Sequence, residues 1–130
     1  MILPATLTAA AAAAIINIWL SIRIGAVRKA SGISVGDGGN EALSRRMRAQ
    51  LNFAENVPIV LVLIAVIELA GAGGGWLPYV AGLFMLGRVA HGLGMDGGSK
   101  QWARVAGTLT TMLTLLGLAG VAVGIALSLF

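Results

Sequence analysis

Cysteine is absent from this chain, histidine occurs once, and acidic residues number only 5. Without cysteine there is no disulfide, no thiolate metal site and no cysteine nucleophile. A single imidazole, His91, excludes a multi-histidine metal centre, and no metal is expected. Charge of either sign is scarce: 11% of residues are Asp, Glu, Lys or Arg, against about a quarter in a soluble domain. No basic residue precedes the first apolar stretch, since Met1-Ile2-Leu3-Pro4 supplies none, and this argues against a signal peptide. The cations flank hydrophobic segments without interleaved aromatics, so nucleic acid is not an expected partner.

What remains is apolar. Hydrophobic residues make up 58% of the chain and the mean hydropathy is +0.92. A 13.2 kDa globule has too little interior to hide that surface, so the bilayer is the solvent. The length suits four spans of about 20 residues in a single domain covering residues 1–130.

The 9 cations fall near two of the three connections. Arg23, Arg28, Lys29, Arg45, Arg46 and Arg48 surround the first, and Arg88, Lys100 and Arg104 the third. The N-terminus, the segment Gly71–Pro78 and the C-terminal tail have none. By the positive-inside rule both basic connections face the cytosol and both termini face out. Compact loops suggest a bacterial inner membrane.

The first span is expected over Pro4–Val27, with Asn17 available for hydrogen bonding between helices and Trp19 for packing. Ser31–Asn40 reads as a glycine-rich loop in which Asp37 or Asn40 caps the next helix. That helix, Glu41–Ala70, is polar in its first half and apolar in its second. Pro58 within it predicts a kink, and Glu68 near its far end faces headgroups or a partner. Trp76 and Tyr79 follow an uncharged glycine turn as aromatic-belt residues do. The third helix is expected over Leu77–Gly94 and the fourth over Gln101–Leu129, where Gly117, Gly120 and Gly124 suggest close helix approach. The fold class is therefore all-α: a four-transmembrane-helix up-down bundle, with so many small residues that a homo-oligomer is favoured.

Arg48, Asn52 and Glu55 share one face of the second helix where it enters the membrane. An ionised group there costs roughly 2.5–3.5 kcal/mol, so it points to protein, ligand or water rather than lipid. Arg88 and His91 end the third helix, Arg104 and Thr108 begin the fourth, and Arg28 ends the first. Arginine forks bind carboxylates and a nearby acid takes an amine, which suits a small zwitterion with extra carboxylates. Glutathione, with its two carboxylates, amine and thiol, fits that description. The same residues also permit simple ion pairs, Arg48–Glu55 or Arg88–Glu55, that merely hold the bundle.

The run Arg48-Ala49-Gln50-Leu51-Asn52-Phe53-Ala54-Glu55-Asn56-Val57-Pro58 resembles the second-helix signature of the MAPEG family, membrane-associated proteins in eicosanoid and glutathione metabolism. Gly87-Arg88-Val89-Ala90-His91 is similar to that family's third-helix segment. The resemblance implies a homotrimer of four-helix subunits with glutathione, as cosubstrate, bound between neighbours near the cytosolic face. It implies glutathione-binding roles for Arg28, Arg48, Asn52, Glu55, Arg88 and His91, and a thiolate-stabilising, catalytic role for Arg104. Thr108 would offer a hydrogen bond to the sulfur. The implied activity is that of a glutathione transferase or peroxidase acting on a lipophilic small molecule or lipid. Met95 and Thr108 stand where family enzymes often carry tyrosine. Two other readings stay open: a non-catalytic lipid- or glutathione-binding member of the same fold, and a small four-span transporter.

Overall fold

A computed structural model describes all residues 1–130 as four helices: α1 (Pro4–Ser31), α2 (Glu41–Leu69), α3 (Leu77–Gly94) and α4 (Gln101–Ala126). A single 3-10 turn, Gly98–Lys100, leads into α4. Three of the helices, α1, α2 and α4 with its leading turn, are long and apolar enough to cross a membrane. The 18-residue α3 interrupts its apolar run with Pro78, Arg88 and His91. The protein is an integral membrane protein with an all-α bundle.

Local sequence sets the helix ends. Pro4 and Pro78 occupy first-turn positions, where a missing N–H costs nothing. Gly32 ends α1 at φ 72°, a left-handed conformation that glycine adopts freely, and donates its N–H to the Arg28 carbonyl. Asn40 caps α2 by accepting from the Leu43 N–H at 3.0 Å, while Asp37 accepts from the Gly39 N–H within the loop. Pro58 sits inside α2 without ending it.

Contacts fix an up-down-up-down order. Glu68, at the end of α2, binds the start of α1: its carboxylate accepts from the Ala5 and Thr6 N–H groups, both at 2.8 Å, and from the Thr6 hydroxyl at 2.7 Å. The carboxylate thus satisfies orphan amides and the positive end of the α1 dipole together. At the other end Arg23 of α1 reaches the Gly92 carbonyl of α3, so these two helices run parallel. The core is a cluster of 16 buried residues, with Ala5, Ala9 and Ala13 on α1 facing Val60, Ile64 and Ile67 on α2 and Phe84 on α3. Large apolar residues such as Ile15, Ile22, Val62, Leu86 and Leu116 stay exposed, as lipid-facing positions should.

Two expectations are not met within the subunit. Close helix approach uses Gly87, Gly94 and Gly107 rather than Gly117 and Gly120, which have nothing within 4 Å of an added Cβ. A Cβ on Gly107 would lie 2.5 Å from the Gly87 carbonyl oxygen and 2.6 Å from His91 Cβ. Gly124 instead accommodates the ring of Phe130. Asn17 makes no hydrogen bond within the chain and is exposed, because the face of α1 that carries it points away from the core.

Candidate functional site

The basic ends of α2, α3 and α4 enclose a hollow of about 330 Å³. From α2 come Arg48, Leu51, Asn52 and Glu55, where Leu51 and Asn52 each stand three or four residues from both Arg48 and Glu55, so all four lie on one face. His91 comes from α3 and Met95 from just beyond it, and Arg104 and Thr108 stand one turn apart on α4. The α4 residues reach the hollow because α3 and α4 touch backbone to backbone there. A Cβ on Gly94 would lie 2.6 Å from Arg104 Cα.

The bonding pattern separates this hollow from the rest of the basic end. Arg45 pairs with Glu41 at 2.9 Å, Arg23 and Arg46 both bind Asp96, and Arg28 donates to the Gly36 carbonyl at 2.8 Å. Arg48, Glu55 and Arg104 belong to no ion pair, and their side chains make no hydrogen bond within the chain. Neither Arg48–Glu55 nor Arg88–Glu55 forms, so the ion-pair explanation of these residues does not hold in this structure. His91 is 3% exposed, and its Nδ1 has no partner. Two guanidiniums and one carboxylate therefore share one concavity with their polar capacity unspent, and His91 closes it from behind with a buried, unpartnered Nδ1.

Of the residues singled out in the sequence, Arg48, Asn52, Glu55, His91, Arg104 and Thr108 come together here. Arg28 does not. It lines a second, larger hollow of about 700 Å³ between α1, α2 and their connecting loop, with Asn17, Ser21 and Gln50. Arg48 borders both. The smaller hollow is the candidate site because it collects the unpaired ionic groups.

Arg88 is not on the wall either. It is 1% exposed, with its guanidinium donating to Thr111 Oγ1 at 3.0 Å and lying 5.9 Å from the Phe53 ring centroid. No carboxylate neutralises it, and its Nε is unpartnered. In this position Arg88 braces α2, α3 and α4 behind the hollow rather than lining it. Thr108 also differs from expectation: its hydroxyl donates to the Arg104 carbonyl at 2.9 Å. Its proton is spent within α4, so it presents an acceptor rather than a donor to the hollow.

Three residues of this end were not legible as a group. Thr111 lies two turns beyond Arg104 and was lost among apolar neighbours, although a threonine on an inward face needs a partner. Arg23 and Asp96 are 73 residues apart in sequence and meet only through the fold. The one signal was Asp96 itself, a rare acid in a basic connection.

The family model of the MAPEG family matches residues 6–124. The chain is similar to the inner membrane protein YecN of Escherichia coli strain K12, and equally to YecN of Escherichia coli O6:H1. Each is 33% identical over 73 residues, which is 55% of this chain and 55% of the relative. The chain thus spans about half the length of the curated relatives it matches. No solved structure matches it.

Proposed function

Because this chain belongs to the MAPEG family, we propose that it is a membrane-embedded glutathione transferase-like enzyme whose cosubstrate occupies the hollow between α2, α3 and α4. The observation that carries this reading is the set of unpaired groups on that wall: Arg48 and Arg104 for carboxylate and thiolate, Glu55 for an amine, Asn52 for the peptide. Two cations against one carboxylate leave an excess positive charge at a membrane boundary, and that favours an anionic ligand. Arg28 reaches glutathione from a neighbouring subunit in a homotrimer, across the second hollow. Exposed Arg48, Glu55 and Arg104 and the unpartnered Asn17 support a covering neighbour.

The chemistry needs no protein nucleophile. A free thiol has a pKa of about 8.5, so little thiolate exists at neutral pH. The Arg104 guanidinium stabilises the sulfur anion, and the thiol proton leaves to solvent. The thiolate attacks a lipophilic electrophile arriving from the bilayer, forming a C–S bond as the leaving group departs with its electron pair. With a lipid hydroperoxide the sulfur attacks the O–O bond, and a second glutathione completes a disulfide, leaving alcohol and water. The basic end faces the cytosol by its charge, and YecN, named an inner membrane protein, supports an inner-membrane location.

The test is conjugation of an aromatic electrophile by purified protein in detergent, beside Arg104→Ala. Turnover well above buffer that falls in the variant supports the reading. Equal rates for protein, variant and buffer end the catalytic part of it. Calorimetry with millimolar glutathione then separates a binding protein, which gives heat without turnover, from a chain that does not bind glutathione.

A further inference from the structure

The basic end carries a second ionic cluster outside the hollow. Asp96, in the connection from α3 to α4, is ion-paired through Oδ2 with Arg23 of α1 and through Oδ1 with Arg46 Nε of α2 at 3.4 Å. The cations are tied to each other and to α3. Arg46 donates to the Arg23 carbonyl at 2.8 Å, and Arg23 donates to the Gly92 carbonyl at 2.9 Å. The Trp19 ring lies 5.1 Å from the Arg23 guanidinium, closing the cluster from the apolar side. One carboxylate thus joins α1, α2 and the connection.

The connection is held locally by turn bonds, from the Gly97 N–H to the Gly94 carbonyl at 3.1 Å and from the Lys100 N–H to the Gly97 carbonyl at 3.3 Å, and it bends at two glycines. Gly97 and Gly98 adopt φ 83° and 61°, conformations that glycine leaves as easily as it enters. Gly94 carries its position to the hollow, since its backbone packs directly on that of Arg104. Met95, between Gly94 and Asp96, lines the hollow itself. A shift of the connection therefore moves Met95 and Arg104 together, while Arg48, Asn52 and Glu55 stay on α2.

We propose that Asp96 is a positioning residue for Arg104: its clasp on Arg23 and Arg46 holds the connection, and through Gly94 it sets where the Arg104 guanidinium sits on the rim of the hollow. The inference rests on the reading that Arg104 acts on the glutathione thiol. Removing the carboxylate's charge leaves two guanidiniums side by side with no counter-ion, which drives the clasp open. Ligand contacts on α2 are untouched, so the thiol suffers more than the binding of the peptide.

The experiment compares wild type, Asp96→Asn and Asp96→Glu as full-length protein in detergent, by two readouts. Hydrogen exchange without glutathione reports whether residues 101–106 loosen. The ultraviolet thiolate signal of bound glutathione against pH reports where Arg104 stands. In Asp96→Asn, exchange rises over 101–106 but not over 48–55. The thiol midpoint moves up by about one unit, a tenfold loss of thiolate below it, with kcat falling more than KM rises. Asp96→Glu restores most of both. Unchanged exchange over 101–106 overturns the proposal, as does uniform loosening of all helices with the thiol midpoint of the wild type. If wild type binds no thiolate at all, the transferase reading fails, and the exchange comparison still decides whether Asp96 holds the Arg104 turn.

Discussion

Arg48 on α2 and Arg104 on α4 line the same hollow, and neither has an acidic partner within the chain. They differ in expected role, since the first sits with Asn52 and Glu55 on one helix face and the second faces them from another helix. Replacing Arg104 by alanine removes the cation nearest the proposed sulfur. Stabilisation by two pKa units corresponds to about 2.7 kcal/mol. The sign follows from the charge: a nearby cation lowers the thiol pKa, so the proposed activity is expected to reach its plateau at lower pH in wild type than in the variant. The bound thiol is expected to titrate at about 6.5 in wild type and at about 8.5 in Arg104→Ala, in the range of an unassisted thiol. Arg48→Ala should instead weaken binding with a smaller effect on that midpoint. Ultraviolet titration of the thiolate distinguishes them.

Glu55 is the one acid in the hollow and has no internal cation. If it takes the ligand's amine, Glu55→Gln should weaken glutathione by about tenfold, equivalent to about 1.4 kcal/mol. An N-acylated glutathione should bind wild type and variant alike. Calorimetry on all four combinations gives the coupling. A tenfold loss for both ligands would assign Glu55 to the protein rather than to the amine.

Thr111 gives buried Arg88 its only hydrogen bond. Thr111→Val leaves a buried charged donor unsatisfied, at a cost of about 1.5–3 kcal/mol. Unfolding in detergent should show that loss with the thiol midpoint unchanged, because Arg88 stands behind the wall. A shifted midpoint without lost stability would place Arg88 in the ligand's reach.

Gly107 and Gly117 lie on the same helix but predict opposite outcomes. Gly107→Ala forces α3 and α4 apart at Gly87 and His91, an overpacking cost of about 1–3 kcal/mol. Gly117→Ala meets nothing within the subunit and gains up to about 1 kcal/mol of helix propensity. Thermal unfolding of the two variants checks the ordering. Loss of oligomer in Gly117→Ala alone would mark that face as a subunit contact.

Glu68→Gln weakens the charge-assisted bonds from the Ala5 and Thr6 N–H groups and from the Thr6 hydroxyl. Exchange at those amides should rise while the basic end stays unchanged, because the two ends share no polar contact. Equal protection in both forms would show that the carboxylate charge is not needed there.

Much of the architecture was written in local pattern. Apolar length, the positions of Pro4 and Asn40, and the sorting of cations to two connections each act within a few residues or through the bilayer. That is why helix starts and the basic end follow from the chain alone. The face shared by Arg48, Asn52 and Glu55 was equally legible, since helical periodicity is local. The pairing of glycines was not: Gly107 and Gly117 look alike in sequence, and only the crossing of α3 over α4 decides which is crowded. Nor was the sorting of the arginines. Whether a guanidinium lines a hollow, as Arg104 does, is buried on a threonine, as Arg88 is, or clasps Asp96, as Arg23 and Arg46 do, depends on partners up to 73 residues away. Sequence decides which charges the chain owns and at which end of the bundle they gather. Tertiary packing alone leaves some of them unpaired, because ion pairing acts over a few ångströms and distant segments come that close only in the folded bundle.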